Sequence, residues 1–157
     1  SVPLASLGSY AAYDVLSNST ASGTSWAFAA IAAKNGGKGR ITKALFISDT
    51  TGKAFQPTLF LFNAIPVGAA LNDNALNLCL AGTDSAKYVG KIDWVATETL
   101  NSGASEALAT PSTFGNVPLD FDCASGADDL FGVLVTRQAV ALGTGGTATI
   151  SLTAEQY

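Results

Sequence analysis

The chain has 157 residues, of which 48% are apolar and only 13% charged, about half the roughly 25% of an ordinary soluble domain. Its net charge is −4, and its eight Lys and Arg form no basic run, which argues against nucleic acid as a partner, since that needs clustered cations. Histidine is absent, so a Cys–His nucleophile pair and imidazole metal ligands are excluded, and no apolar stretch approaches the ~18 residues that would cross a bilayer.

One domain of this length buries roughly two-thirds of its unfolded surface. Ser1 to Tyr10 has neither a cationic start nor a continuous apolar segment, so no secretory signal is expected, and the lack of any Met fits initiator removal or a maturation cleavage before Ser1. Val2, Leu4 and Leu7 form an apolar leader, followed by Tyr10 and Tyr13, before the first strand candidate at Tyr13 to Leu16. We read 1–12 as an N-terminal arm and 13–157 as a single domain. An apolar arm either folds back or docks, which makes Val2, Leu4, Leu7, Tyr10 and Tyr13 candidate interface residues.

Trp26 to Ala33 reads as a strand between Gly23 and the Gly36, Gly37, Gly39 cluster, although its alanines also suit a helix. Ala44 to Ile47, Leu59 to Phe62 and Leu130 to Val135 are apolar on both parities, as in strands covered on both faces. Leu76 to Leu80 and Thr113 to Leu119 are shorter candidates, the latter confined by Pro111 and Pro118 to an edge or a bulge. Thr83 is placed to cap one helical turn through Lys87. Lys91 to Thr97 alternates, with Ile92, Trp94 and Ala96 on one side. The clearest strand is Thr147 to Ala154, where Ala148, Ile150, Leu152 and Ala154 alternate with Thr147, Thr149, Ser151 and Thr153. Its outer face is uncharged, so it is expected to be paired, covered or turned toward another subunit. The whole reads as all-β, an antiparallel β-sandwich or jelly roll of about eight strands with little helix.

Chemical constellations are sparse. Asp120, Asp122, Asp128 and Asp129 have a spacing open to calcium, but lack the EF-hand order and its closing Glu, so a solvated loop around Gly126 is the preferred reading. Asn72, Asp73 and Asn74 read as turn formers, and Gly143 to Gly146 as a hairpin turn into the last strand rather than a phosphate cradle. No paired-carboxylate arrangement stands out. Cys79 and Cys123 are read as buried thiols in preference to a disulfide. Trp26 and Trp94 are read as core residues in preference to a sugar-stacking platform with Tyr10, Tyr13 and Tyr88. No metal, cofactor or catalytic residue is assigned.

From Tyr10 onward the order of elements resembles the small jelly-roll decoration, or cement, proteins of tailed bacteriophages. The matching pieces are YAAYDV at Tyr10 to Val15, GRITKALFISD at Gly39 to Asp49, TLFLFNAIPVGAALNDNA at Thr58 to Ala75, DLFGVLVT at Asp129 to Thr136, and the terminal alternating strand. These are strand-and-turn patterns rather than chemical motifs. The resemblance implies a noncatalytic virion protein, made in the host cytoplasm, that sits on the capsid exterior and bridges major capsid protein subunits. It implies self-association, a homotrimer first and a homodimer second, with no nucleic acid or membrane partner. The arm and tyrosine residues named above become its candidate capsid or subunit contacts. The competing reading is a carbohydrate- or receptor-binding module of a phage head or tail fibre, motivated by the aromatic residues.

Overall fold

Period-two alternation and doubly apolar runs fold into packed antiparallel sheets in the computed structural model, which describes residues 1–5, 8–49, 53–67, 71–78, 80–113, 115–143 and 145–157. The strands there are β1 (Val2–Pro3), β2 (Gly8–Tyr10), β3 (Val15–Leu16), β4 (Trp26–Phe28), β5 (Lys38–Ser48), β6 (Pro57–Phe62), β7 (Tyr88–Asp93), β8 (Glu98–Asn101), β9 (Ala104–Ala109), β10 (Leu119–Asp122), β11 (Leu130–Thr136), β12 (Val140–Gly143) and β13 (Thr147–Gln156). A 3-10 helix, Gly82–Lys87, precedes β7; its N-cap is Ala81 with no side-chain cap, so Thr83 does not have the expected role.

The two longest strands, β5 and β13, pair along their length and anchor the first sheet. Its order is β1-β13-β5-β9-β8, with β10 also on β5. β1 pairs only with Thr147 and Ala148, which leaves β13 without a neighbouring strand on that side from Thr149 onward among the described residues, and a bulge puts Thr42 of β5 out of register opposite the step from Thr153 to Ala154. At Gly39 a Cβ would come within 2.5 Å of the Glu155 carbonyl and 2.6 Å of the Phe121 ring, so only glycine lets β10 and β13 flank β5 there. The second sheet runs β3-β11-β6-β7, with β4 also on β11, and β12 pairs with β2 in a separate ribbon.

Between the sheets, Ile41, Ala44 and Phe46 of β5 and Ala148 and Ile150 of β13 meet Leu59, Leu61, Ile92, Leu130 and Leu134 from the second sheet. Trp94 is fully buried among them and donates its indole N–H to the Ala44 carbonyl at 3.1 Å, while Phe46 and Phe55 pack edge to face at 5.7 Å. The second sheet also buries its other face. Val15, Phe62, Val133 and Val135 form a smaller core with Phe60, Leu71 and Tyr88. This explains why β6 and β11 are apolar on both parities. The similar run in β5 has a different cause, since Ala44 and Phe46 point inward while Leu45 and Ile47 are half-buried on the opposite face.

Several sequence expectations are corrected. The strand expected over Trp26 to Ala33 stops at Phe28 because the chain turns at Ala30 (φ 52°), although Ile31 and Ala32 still reach the core. Among the described residues of the Leu76 to Leu80 stretch no strand forms; Leu76 makes one isolated bridge with Asp14, and Leu76, Leu78 and Leu80 are exposed. The segment Thr113 to Leu119 becomes a strand only at Leu119. The alternation after Lys91 ends at Asp93: Ala96 is exposed and Thr97 buried, its hydroxyl donating to the Lys53 carbonyl and accepting from Phe55 N–H. The Gly143 to Gly146 stretch does not close a hairpin, because β12 pairs with β2 and β13 with β5.

Phe46 fills the centre of the main core, so Phe46→Ala should lower unfolding free energy by about 3–5 kcal/mol in chemical denaturation. Leu100→Ala, at a half-exposed position on β8, should stay within about 0.5 kcal/mol of the parent.

Candidate interaction surface

The expected N-terminal arm is built into the fold. Val2 lies in β1, half-buried against the main core, and Leu4 is in that core with its N–H donating to the Gly146 carbonyl. Tyr10 is buried at the end of β2. Leu4 and Tyr10 are therefore committed to packing and do not present a contact surface. Tyr13, held at φ 72°, is 58% exposed and does; Leu7 lies outside the described residues.

Tyr10 instead helps to fasten a layer of irregular chain over the second sheet. Its hydroxyl donates to both carboxylate oxygens of buried Asp73 at 3.2 and 3.0 Å, and Ser17 N–H donates to one of them at 2.8 Å. Asn72 Oδ1 accepts Gly23 N–H at 3.0 Å, and a Cβ on Gly23 would stand 1.7 Å from the Leu71 carbonyl oxygen. Farther along, the Asp84 carboxylate, also buried, accepts Val67 N–H and pairs with Lys87 at 3.0 Å. Asn72 to Asn74 form the expected turn, with Ala75 N–H donating to the Asn72 carbonyl and Asn74 at φ 60°, and the side chains of Asn72 and Asp73 serve in addition as long-range tethers.

Held this way, the layer turns apolar side chains in both directions. Leu71 faces the small core. Ile65, Val67, Leu76, Leu78 and Leu80 are 47–60% exposed and, with Tyr13, supply six of the ten large exposed hydrophobic residues described. Between Lys53 and Asp84 in the sequence the only charged residue is Asp73, and it is buried; the charges that border the flank in space, Asp84 and Lys87, are paired, and Lys87 Nζ also donates to the Ile65 carbonyl at 2.9 Å. Exposed apolar area concentrated on one flank is the usual mark of an interaction surface, whereas single exposed hydrophobic residues are ordinary. Sequence reading missed the feature by assigning Leu76, Leu78 and Leu80 to a strand; the uncharged run from Ala54 to Asn72 was the available signal.

The other singled-out residues are structural. Trp26 and Trp94 are buried and form no stacking platform. Asp120 and Asp122 lie on β10 and pair with Arg40 and Lys38, while Asp129 accepts Ala30 N–H. Cys123 is a buried free thiol. Burial, then the charges of Asp128, Asp129 and Asp122, raises its pKa, which disfavours the reactive thiolate. Cys79 lies outside the described residues.

A polar cleft opens at the end of β7. Asp93 accepts Thr58 Oγ1 at 2.7 Å, Asn116 Nδ2 at 3.1 Å and Lys91 Nζ at 2.8 Å. Burial raises its pKa, but the hydrogen bonds from Lys91 and Thr58 and the charges of Lys91 and Arg137 outweigh that and hold it below the ordinary value. Asn116 sits at φ 62°, and a Cβ on neighbouring Gly115 would lie 2.4 Å from the Asp93 carbonyl oxygen.

No protein-family model, curated protein or solved structure matches the chain. The geometry therefore defines only a class: a β-sandwich with an uncharged, apolar flank tethered over one sheet.

Asp73→Ala strands two buried donors, so it should destabilise the protein by about 3 kcal/mol in denaturant titration and speed amide exchange in residues 71–77. The depressed Asp93 pKa gives stability that is complete above about pH 4 and is lost as pH falls through the folded-state value. Asp93→Asn should accordingly cost about 1–2 kcal/mol at neutral pH, with the gap to the parent closing in acid, as read from melting curves across that range.

Proposed function

We propose that this protein is a noncatalytic viral structural protein that binds the outer surface of a phage capsid and stabilises the shell by bridging major capsid protein subunits. The observation that carries the reading is the uncharged flank formed by Tyr13, Ile65, Val67, Leu76, Leu78 and Leu80. Apolar groups leave water favourably, at roughly 25 cal/mol per Å² buried, and the charges that border this flank, Asp84 and Lys87, are already paired with each other. The sandwich beneath it supports the reading, since a rigid sheet under a tethered layer presents those side chains in fixed positions.

A subunit that binds only the assembled shell adds its binding free energy to shell stability. Repetition by symmetry raises effective concentration, so modest single interfaces suffice. Self-association, as a homotrimer before a homodimer, is part of the proposal. The row Ser151, Leu45 and Leu108 on the outer side of the first sheet, lying between Lys43 opposite Thr153 and Glu106 in the row of Thr149, offers a sparsely charged face for it.

The test adds purified protein to capsids lacking it, then measures bound copies and rupture temperature. The parent protein should bind and raise the rupture temperature. Leu76→Asp with Leu78→Asp should fold with a melting temperature within a few degrees of the parent, yet bind at least about tenfold more weakly and lose the thermal gain. Leu100→Asp, on β8 of the other sheet, should bind normally. Absence of binding by the parent, or full binding by the double variant, overturns the proposal.

A further inference from the structure

The cleft beside Asp93 holds an unbalanced cation. Of the four Lys and Arg residues that are not exposed, Arg40, Lys87 and Lys91 are ion-paired, whereas Arg137 has no carboxylate within 4.0 Å among the described residues. Among the described residues its guanidinium makes one hydrogen bond, from Nη2 to the Trp94 carbonyl, and its Nε–H is buried with no partner. Charged side chains withdrawn from water are normally paired, and a buried donor without an acceptor calls for an explanation.

The surroundings indicate what would supply the acceptor. The cleft has a volume of about 350 Å³ and is lined by Gln56, Asp93, Val95, Gly115, Asn116 and Arg137. Among the described lining residues Asp93 is the only carboxylate, and it is already occupied by Thr58, Lys91 and Asn116. Two cations, Lys91 and Arg137, against this one carboxylate leave a local charge of +1. The unused groups are the guanidinium N–H donors and the Gln56 side-chain amide, beside the 57% exposed Val95. A planar guanidinium fork with free donors matches a carboxylate, and a single negative charge balances the excess. Among the described lining residues a sugar would find no free carboxylate to accept from its hydroxyls. Asn116 lies in the left-handed region, a conformation of some cost for a residue other than glycine, as found in many functional clefts, and Gly115 lets the backbone approach the Asp93 carbonyl closely.

We infer that this cleft is a receptor for a carboxylate side chain of a protein partner, an Asp or Glu whose carboxylate meets Arg137 and whose aliphatic stem packs on Val95. The site lies outside the apolar flank and does not depend on that flank contacting a capsid.

The experiment titrates nitrogen-labelled full-length protein with N-acetylglutamate N-methylamide, its glutamine counterpart and glucuronic acid, following backbone and side-chain signals of Gln56, Asn116 and Arg137. Saturable shifts at these three residues are expected with the glutamate compound, with affinity at least about tenfold weaker for the other two. Arg137→Gln should abolish the shifts. Because that change also removes a bond to the Trp94 carbonyl, Val95→Asp provides a second variant: it alters an exposed position, offers Arg137 an internal carboxylate, and should block binding while the melting temperature holds. Equal response to the glutamate and glutamine compounds, no saturable response, tighter binding of glucuronic acid, or unimpaired binding by folded Val95→Asp would each overturn the inference.

Discussion

Strands β6 and β11 are apolar on both faces, and a strand of that kind has to be covered twice. The main core covers Leu59, Leu61 and Leu134; the other side, with Phe62, Val133 and Val135, needs a layer of its own. Irregular chain supplies it, at the cost of holding backbone without a regular ladder. The buried Asp73 carboxylate meets part of that cost by accepting from Tyr10 and Ser17, elements distant in sequence. A charged group so placed is tolerable only because it is hydrogen-bonded, and its position fixes where the layer lies.

Features set by local side-chain periodicity were legible in the sequence. The Thr147 to Ala154 alternation, the long β5 and the doubly apolar β6 and β11 all became strands, and the all-β sandwich follows from them. Features set by distant partners were not. Leu76, Leu78 and Leu80 alternate like a strand but lie on the covering layer, where apart from the Leu76 bridge no ladder pairs them. Tyr10 looked like an interface residue because its acceptor lies 63 residues away. Of the candidate contacts, Tyr13 proved accessible and Leu4 and Tyr10 did not, since a short apolar leader reads the same whether it docks outward or folds inward. The Arg137 cleft had no signature, because its walls come from four separated stretches of chain.

The two surfaces differ in physical character. The apolar flank offers area and low desolvation cost, which favour adhesion over selectivity. The cleft offers one directional charge, which contributes little area but fixes orientation.

The bulge at Thr153 and Ala154 has a consequence for solubility. Beyond Ala148 the last strand presents an open rim with no lysine or proline before Glu155, the profile that templates fibrillar stacking. The extra residue lies on the neighbouring strand, Thr42 of β5 opposite the step from Thr153 to Ala154, and a bulge strengthens the local twist of the pair it interrupts, which departs from the flat registry that indefinite growth requires. A chain with so few charges to keep its copies apart thus carries its safeguard against runaway polymerisation in backbone geometry.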